Sequence, residues 1–313
     1  MTPRVAVGIG DRLLDRALST AVERAGAPGR IRFTEAQLYY EMCRVLRPPH
    51  MVPRRLPLTP APPVRYERFE EALRRHGAVP GLLEPAPAAA SAPASGPAEV
   101  SGRAPREPSE PSEPDLYDYG LPRLLVCQSR QVARMLLAND VHLEAACPVF
   151  AADDLPLDPR LVAGLGRVDG ATVHVLHDAS VDGIALTARV RDAHPGVRVS
   201  SMGLVPRHAT ALHLISPRGP APGPGPLTLP AGLEARERDW LTEGRFAEVE
   251  SVPPARLLRT VLRLVRGPRT PSHSVWTGLR ELRTAGFMTW PTNQPGDTGT
   301  KGDQPATRDG VQG

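Results

Sequence analysis

Two acidic residues follow an apolar run near the middle of the chain, in the sequence TVHVLHDASVDG from Thr172 to Gly183. The apolar run is rich in β-branched residues and predicts a short buried strand, whereas residues 184–193 repeat apolar side chains at helical spacing. Asp178 and Asp182 therefore fall at a strand-to-helix turn, the place where open α/β sheets bind ligands. Carboxylates spaced in this way can converge on Mg²⁺, so Asp178 and Asp182 are the candidate metal ligands.

This turn also has a purely structural interpretation. Asp and Ser are favoured N-cap residues, and Asp178 would then cap the following helix without binding a metal. In that case the acids belong to an ordinary surface turn. The sequence alone leaves both interpretations open.

Residues 177–183, HDASVDG, resemble the Asp-x-Asp motif of Toprim domains, in which a strand is followed by DADxxG. Asp178, Ala179 and Gly183 match, but Ser180 stands where the family has its second metal-binding Asp. A Toprim domain also has a Glu after its first strand, used in acid–base catalysis or metal binding, and this chain has Gln128 in that catalytic position. An amide neither carries negative charge nor accepts a proton at neutral pH. The resemblance therefore implies a degenerate site that binds Mg²⁺ weakly or not at all.

Two adjacent tyrosines, Tyr39 and Tyr40, lie in a predicted helix that begins with a capping box between Thr34 and Gln37. This LYY segment, together with the RRHGAVPGLL that ends a later helix, resembles the winged-helix part of the topoisomerase VI A subunit. The meiotic double-strand-break protein and Toprim-containing plasmid-defence nucleases of bacteria share the likeness. In the topoisomerase branch the second tyrosine attacks DNA, so the resemblance implies Tyr40 as the nucleophile.

The tyrosine pair has a structural interpretation as well, as packing and hydrogen-bonding aromatics on a core helix. A phenol, with a pKa of about 10, attacks only when a metal, a base or a cation activates it. Ala36 stands where the family usually has the Arg that is expected to steady the scissile phosphate. The support for a nucleophile at Tyr40 is therefore incomplete.

Positive charge in this chain is carried almost entirely by Arg, since Lys301 is the only lysine and the formal net charge is +4. The predicted helix from Tyr66 to Arg75 carries Arg68, Arg74 and Arg75 away from its apolar face. These three are the candidate phosphate contacts with double-stranded DNA. The overall charge permits such binding without requiring it.

The fold class is α/β. Strands are predicted at 123–127, 147–152, 172–176 and 197–204 with helices between them, and this order implies a parallel, right-handed sheet. The predicted organisation is a winged-helix-like helical module at 1–83, a disordered Pro/Ala/Ser linker at 84–115, a Toprim-like α/β module at 116–216, a flexible Pro/Gly segment at 217–230, C-terminal helices at 231–290 and a disordered tail at 291–313. The linker and tail agree with a composition of 37 Pro, 28 Gly and only 4% aromatic residues, which implies that part of the chain does not pack.

The likeness covers roughly residues 10 to 265 and extends to ESVPPARLLRTVL, where Glu250 precedes two prolines as an acidic residue does after Toprim in this group. Cys43, Cys127 and Cys147 lie in apolar surroundings without metal-ligand spacing, which predicts buried free thiols in a reducing cytosol. No membrane span or secretory signal is predicted. The expectation is therefore a cytoplasmic protein without a membrane partner.

Three functions are compatible with these features. The favoured one is a non-catalytic DNA-associated or protein-interaction module that kept the fold and lost the site. The alternative is an Mg²⁺-dependent DNA-cleaving enzyme of the topoisomerase VI A or nuclease type, and a third is a small-molecule-binding α/β protein. The losses at Ala36, Gln128 and Ser180 favour the first, because two-metal phosphoryl transfer depends on several carboxylates.

Overall fold

The computed structural model describes residues 9–47, 58–84, 120–220, 229–230 and 232–267, all within one compact unit. The predicted linker beyond Glu84, most of the predicted Pro/Gly segment and the predicted tail lie outside these ranges. In the described part of the chain, ten α-helices and four β-strands follow one another in the predicted α/β order.

Three helices form the N-terminal part: α1 (Ile9–Gly26), α2 (Glu35–Leu46) and α3 (Tyr66–His76). The predicted capping box at the start of α2 is confirmed, because the Thr34 hydroxyl accepts the Gln37 N–H and the Gln37 side chain accepts the Thr34 N–H. These helices share a core with the short segment that includes Leu82. The largest fully buried side chains of this core are Leu18, Phe33, Leu38, Tyr40, Met42 and Phe69.

The four strands form one parallel sheet in the order β2-β1-β3-β4, which confirms the parallel arrangement. They are β1 (Arg123–Cys127), β2 (Val149–Ala151), β3 (Thr172–Leu176) and β4 (Arg198–Ser201). The remaining helices are α4 (Arg130–Ala138), α5 (Val141–Ala145), α6 (Pro159–Gly166), α7 (Val181–Ala193), α8 (Pro206–Ala211), α9 (Ala235–Thr242) and α10 (Pro254–Arg266).

Side chains alternate between the two faces of the sheet, and each face is covered by helices. One face, with Val173 and Val175 at its centre, packs in a cluster with residues of α6 and α7. The other face, with Leu125 and Leu176, packs with residues of α4, α5 and α10. The result is a three-layer α/β arrangement in which the central strands β1 and β3 are largely buried, whereas the edge strand β4 is not.

Short elements account for the differences from the predicted secondary structure. β2 begins at Val149 and not at Cys147, and β4 occupies only residues 198–201 of the predicted 197–204. The helices α5 and α8 were not predicted, because five and six residues are too few to show helical periodicity. The predicted buried free thiols are confirmed at all three cysteines.

Side-chain hydrogen bonds join the N-terminal helices to the later part of the chain. The Asn139 side chain exchanges two hydrogen bonds with the backbone of Arg32. The Arg44 guanidinium donates to the Ser251 carbonyl at 2.6 Å. α2 also packs directly against a 3₁₀ turn at Val249–Ser251, so residues 9–84 and 120–267 share a contact surface.

This contact surface predicts the behaviour of a cut chain. Cleavage at a protease site inserted within residues 85–114 is expected to leave two fragments that co-elute in gel filtration. Tyr40 donates a hydrogen bond across the surface to Glu248, whereas Tyr39 bonds Val64 within the N-terminal part. Tyr40→Phe is therefore expected to weaken the fragment complex by about 1–2 kcal/mol, and the matched variant Tyr39→Phe to leave fragment association unchanged.

The measurement is the urea concentration at which the fragments separate. Spontaneous separation of the cut wild-type chain into folded fragments would contradict this prediction and would show that the two modules are independent.

Candidate functional site

The strand order changes direction between β1 and β3, and at such a switch point the carboxyl ends of the strands form the usual ligand crevice of an open α/β sheet. Gln128 follows β1 and Asp178 follows β3, so the sheet brings these two predicted site residues together. The contact is between a side chain and the backbone: Gln128 Oε1 accepts the Asp178 N–H at 2.9 Å. Gln128 thus positions the turn after β3.

The Asp178 carboxylate is engaged by a distant part of the same chain. Its Oδ1 accepts the Val249 N–H at 2.7 Å. Beside it, Ala179 and Ala247 exchange two backbone hydrogen bonds of 2.9 and 3.1 Å in an isolated antiparallel bridge. We call residues 247–251 the crossing segment, because they run across the carboxyl edge of the sheet at the switch point.

The helix after the turn, α7, begins at Val181, and its N-cap is Ser180 and not Asp178. The Ser180 hydroxyl accepts the Gly183 N–H at 3.0 Å. A Cβ atom at Gly183 would lie 2.5 Å from both the Asp178 carbonyl oxygen and Gln128 Oε1, which explains the glycine in the motif sterically. Asp182 is exposed in the first turn of α7, and none of the described contacts joins it to Asp178 or Gln128.

The His177 side chain forms hydrogen bonds with the backbone of this turn and with β4. Its Nδ1 lies 2.9 Å from the Asp178 carbonyl oxygen and its Nε2 lies 2.8 Å from Ser201 Oγ. Since a carbonyl can only accept, Nδ1 carries the proton and the neutral ring accepts from Ser201 at Nε2. Burial lowers the pKa of His177, which favours this neutral form. Gly203 packs so closely on the imidazole that a Cβ atom there would overlap the ring.

Tyr40 lies in the interface between α2 and the crossing segment. Its side chain is 2% exposed, and its hydroxyl donates to Glu248 Oε2 at 2.8 Å. Burial, followed by the Glu248 charge, raises the pKa of the Tyr40 phenol well above its usual range. Tyr39 donates to the Val64 carbonyl, and its ring contacts those of Tyr66 and Phe69. In this structure both tyrosines pack and form hydrogen bonds.

Three carboxylates gather around this interface, and we call Asp178, Glu248 and Glu250 the carboxylate cluster. Glu250 Oε1 accepts from the Thr34 hydroxyl at 3.0 Å, so Thr34 both caps α2 and binds the cluster. Burial, followed by the Glu248 charge, raises the pKa of Glu250 to about 7. Burial also raises the pKa of Asp178 to about 7, against the hydrogen bond from Val249, with a further increase from Glu248.

Glu248 is the cluster member that the sequence analysis missed. Its pKa is raised by burial and lowered again by the hydrogen bond from Tyr40. The only local signal is the alternation AEVES, which places Glu248 and Glu250 two residues apart before the two prolines. Such an alternation also occurs in solvent-exposed strands. The role of Glu248 is therefore visible only in the structure, where the crossing segment contacts the switch point.

Each carboxylate of the cluster is bound by a donor of the protein itself. Among the residues that the structure describes, no group of three or more His, Cys, Asp or Glu side chains is placed to hold one. Asp178, Glu248 and Glu250 each accept a hydrogen bond from a different protein donor, respectively Val249, Tyr40 and Thr34. The predicted pair of ligands, Asp178 and Asp182, is not joined by any described contact.

The predicted DNA contacts on α3 are partly used inside the protein. Arg68 pairs with Asp11 at 3.1 Å and with Glu71 at 3.3 Å. Arg75 pairs with Asp15 at 2.8 Å. Arg74 is exposed and forms no ion pair within the described residues. The acids of α1 therefore compensate two of the three arginines.

No protein-family model matches the chain, and no curated protein matches it. Helices long and apolar enough to cross a membrane are absent from the described part of the chain.

The raised pKa values of Asp178 and Glu250 predict a pH dependence of stability. Between about pH 4 and pH 7 the folded state keeps protons on these groups that the unfolded state has released. Their contribution to the free energy of unfolding is therefore present at acidic pH and is lost as the pH rises through about 7. The double variant Asp178→Asn/Glu250→Gln, which cannot titrate there, is expected to lose less stability than wild type between pH 5 and pH 8.

The free energy of unfolding in urea is measured at each pH for wild type and variants. The difference between the two removes the pH dependence that other groups, such as His177, contribute to both. Asp192→Asn, which removes an exposed carboxylate of α7, is the matched control and should follow wild type. Parallel curves for wild type and the double variant would refute the prediction.

Proposed function

We propose that this protein is a non-catalytic DNA-associated or protein-interaction module, in which a degenerate Toprim-like carboxyl edge serves as a structural joint. One observation carries the proposal: the Tyr40 hydroxyl and the Asp178 carboxylate, the two residues with the strongest implied catalytic roles, are both bound by the crossing segment. They hold the N-terminal helices against the sheet.

The chemistry of the individual groups supports a structural role. A phenol attacks phosphorus as the phenolate, and the raised pKa of Tyr40 keeps its proton on at neutral pH. Its hydrogen-bond partner Glu248 is a carboxylate, which accepts that proton's hydrogen bond but repels the negative charge that a phenolate would carry. Gln128 cannot act as a general base, since an amide oxygen does not accept a proton at neutral pH.

Double-stranded DNA is the partner that α3 favours. Arg74 is exposed and without an ion pair in the described residues, and Arg68 and Arg75 lie on the same helix beside it. Guanidinium groups bind phosphates without reading base sequence. The ion pairs with α1 predict a modest affinity, because Arg68 and Arg75 must exchange a protein carboxylate for a phosphate.

Fluorescence anisotropy with a labelled duplex at several salt concentrations tests this partner. Arg74→Gln is expected to weaken binding and to lower the slope of log affinity against log salt by roughly one unit, the value for one lost phosphate contact. Asp15→Asn, which releases Arg75 from its ion pair, is expected to strengthen binding. Arg189→Gln on α7 is the matched control and should have no effect.

Absence of salt-dependent binding in the wild type would remove DNA as the partner and leave the protein-interaction form of the proposal. A loss in Arg189→Gln equal to that in Arg74→Gln would place the contact outside α3.

A second candidate, an Mg²⁺-dependent DNA-cleaving enzyme, is favoured by one observation. Asp178 and Glu250, both with pKa values raised to about 7, lie with Tyr40 at the switch point where α/β proteins bind ligands. Strongly shifted titratable groups concentrate at functional sites. Their present hydrogen bonds do not fit a metal, so an enzyme would first have to release them from the crossing segment.

Calorimetry and a supercoiled-plasmid assay separate the two candidates. For a non-catalytic module we expect weak or undetectable Mg²⁺ and Mn²⁺ binding, which Asp178→Ala abolishes where any is present, and no nicking of the plasmid. Binding at micromolar metal, with nicking that Tyr40→Phe and Asp178→Ala both abolish, would establish the enzyme. Asp192→Ala is the control here, because this exposed carboxylate lies at the opposite end of α7 and is not a predicted ligand.

A further inference from the structure

A cavity lies at the end of the sheet opposite the carboxylate cluster, where the strands begin. Its volume is about 380 Å³, within the range of small-molecule sites. The starts of β1, β3 and β4 line one side of it, and the C-terminal end of α10 lines the other. The cavity is separate from the carboxylate cluster, which lies at the carboxyl edge.

Basic side chains converge on this cavity because of the strand register. In the parallel ladder Arg123 and Arg198 both pair with Thr172, one from each neighbouring strand. Two residues further along, on the same face, His174 lies beside Ser200. All five residues line the cavity.

The backbones of Arg123 and Arg198 belong to the sheet ladder. Their side chains form no hydrogen bond or ion pair with any residue that the structure describes. Arg266, which also lines the cavity, binds the carboxylate and the carbonyl of Glu144. Asp169 in the turn before β3 provides an acidic group on the rim, which leaves the site with an excess of positive charge.

The pKa of His174 reflects this excess of positive charge. Burial lowers its pKa, and the charges of Arg123 and then Arg198 lower it further. Its Nδ1 is buried and has no hydrogen-bond partner within the described residues. The cavity therefore combines an excess of cationic groups with a polar ring atom that lacks a partner.

We propose that this amino-edge cavity binds a small phosphate-bearing anion, held by the Arg123 and Arg198 guanidinium groups across Thr172. A phosphate offers two planar guanidinium groups more acceptor oxygens and more negative charge than a single carboxylate does. The Ser200 hydroxyl and the His174 ring lie deeper on the same face and supply further hydrogen-bonding groups. This site is independent of the proposed DNA contact on α3.

The test uses the His174 ring as a reporter in NMR titrations of the full chain, with its signal assigned from His174→Gln. Inorganic phosphate and adenosine monophosphate are the two probes, and they distinguish a free phosphate site from a phosphoester site; acetate at equal ionic strength is the control for charge. On addition of the preferred probe we expect the pKa of His174 to rise, because a bound anion offsets the two arginine charges. Acetate should produce no comparable rise.

Phosphate affinities of variants, measured by calorimetry, test which residues bind the anion. Arg123→Gln and Arg198→Gln should each weaken phosphate binding by about tenfold or more, the effect of losing one charge-assisted contact. Asp169→Asn should tighten binding, whereas the exposed-arginine control Arg189→Gln should leave it unchanged. Thermal melts identify any variant that fails to fold. If an arginine variant fails to fold, the expected increase in phosphate affinity in Asp169→Asn still tests the proposal.

The proposal is overturned if neither phosphate probe shifts the His174 titration at millimolar concentration. Equal losses in Arg189→Gln and Arg198→Gln would also overturn it, because they would indicate unspecific screening of surface charge.

Discussion

The bridge between Ala179 and Ala247 is the contact on which the carboxyl edge of this protein depends. It fixes the crossing segment against the end of β3 through two backbone hydrogen bonds. With the backbone fixed, Val249 donates to Asp178, and the flanking Glu248 and Glu250 meet α2. One short antiparallel contact therefore connects the sheet to the N-terminal helices.

This joint is not the most stable one that the chain could form. The Glu248 charge raises the pKa values of Asp178 and Glu250, and burial raises the pKa of all three carboxyl groups. Burying acidic groups costs free energy that an apolar contact would not. Hydrogen bonds from Thr34, Tyr40 and Val249 offset part of this cost. A contact built from acidic side chains remains sensitive to pH and to cations. This sensitivity is the physical reason to keep the metal-dependent enzyme as the second candidate function.

The elements of the fold follow from local patterns, and the site does not. β1, β3 and the Thr34 capping box are readable from the sequence, because strand alternation and capping act over a few residues. The hydrogen bond from Tyr40 to Glu248 joins residues 208 positions apart, and no local pattern reports it. The winged-helix and Toprim resemblances stay predictions, since they concern ancestry and not the observed parallel sheet alone.

The counter-charges of the α3 arginines could not be predicted from the sequence, for a related reason. The sequence places Arg68, Arg74 and Arg75 on the polar side of α3, which is where they lie. The acids that pair with them are on α1, and Arg68 meets Asp11 57 positions away. A helical wheel shows which side chains face outward but not which neighbouring helix supplies a counter-charge.

The two ends of β3 have opposite electrostatic character. At its carboxyl end Asp178 belongs to the carboxylate cluster, and the crossing segment occupies that edge. At its amino end Thr172 lies between Arg123 and Arg198 beside an open cavity. The strand spans roughly 16 Å at about 3.3 Å per residue, which is about two Debye lengths at physiological salt, so exposed charges at its two ends are largely screened from each other.

This polarity reverses the usual arrangement of open α/β sheets, in which the ligand binds at the carboxyl edge. Among the described residues, protein groups already form the hydrogen bonds at that edge, whereas the side chains of Arg123 and Arg198 at the other edge have no hydrogen-bond or ion-pair partner. Because salt screens the two ends of the strand from each other, we expect occupation of the cavity and protonation of the joint to be independent.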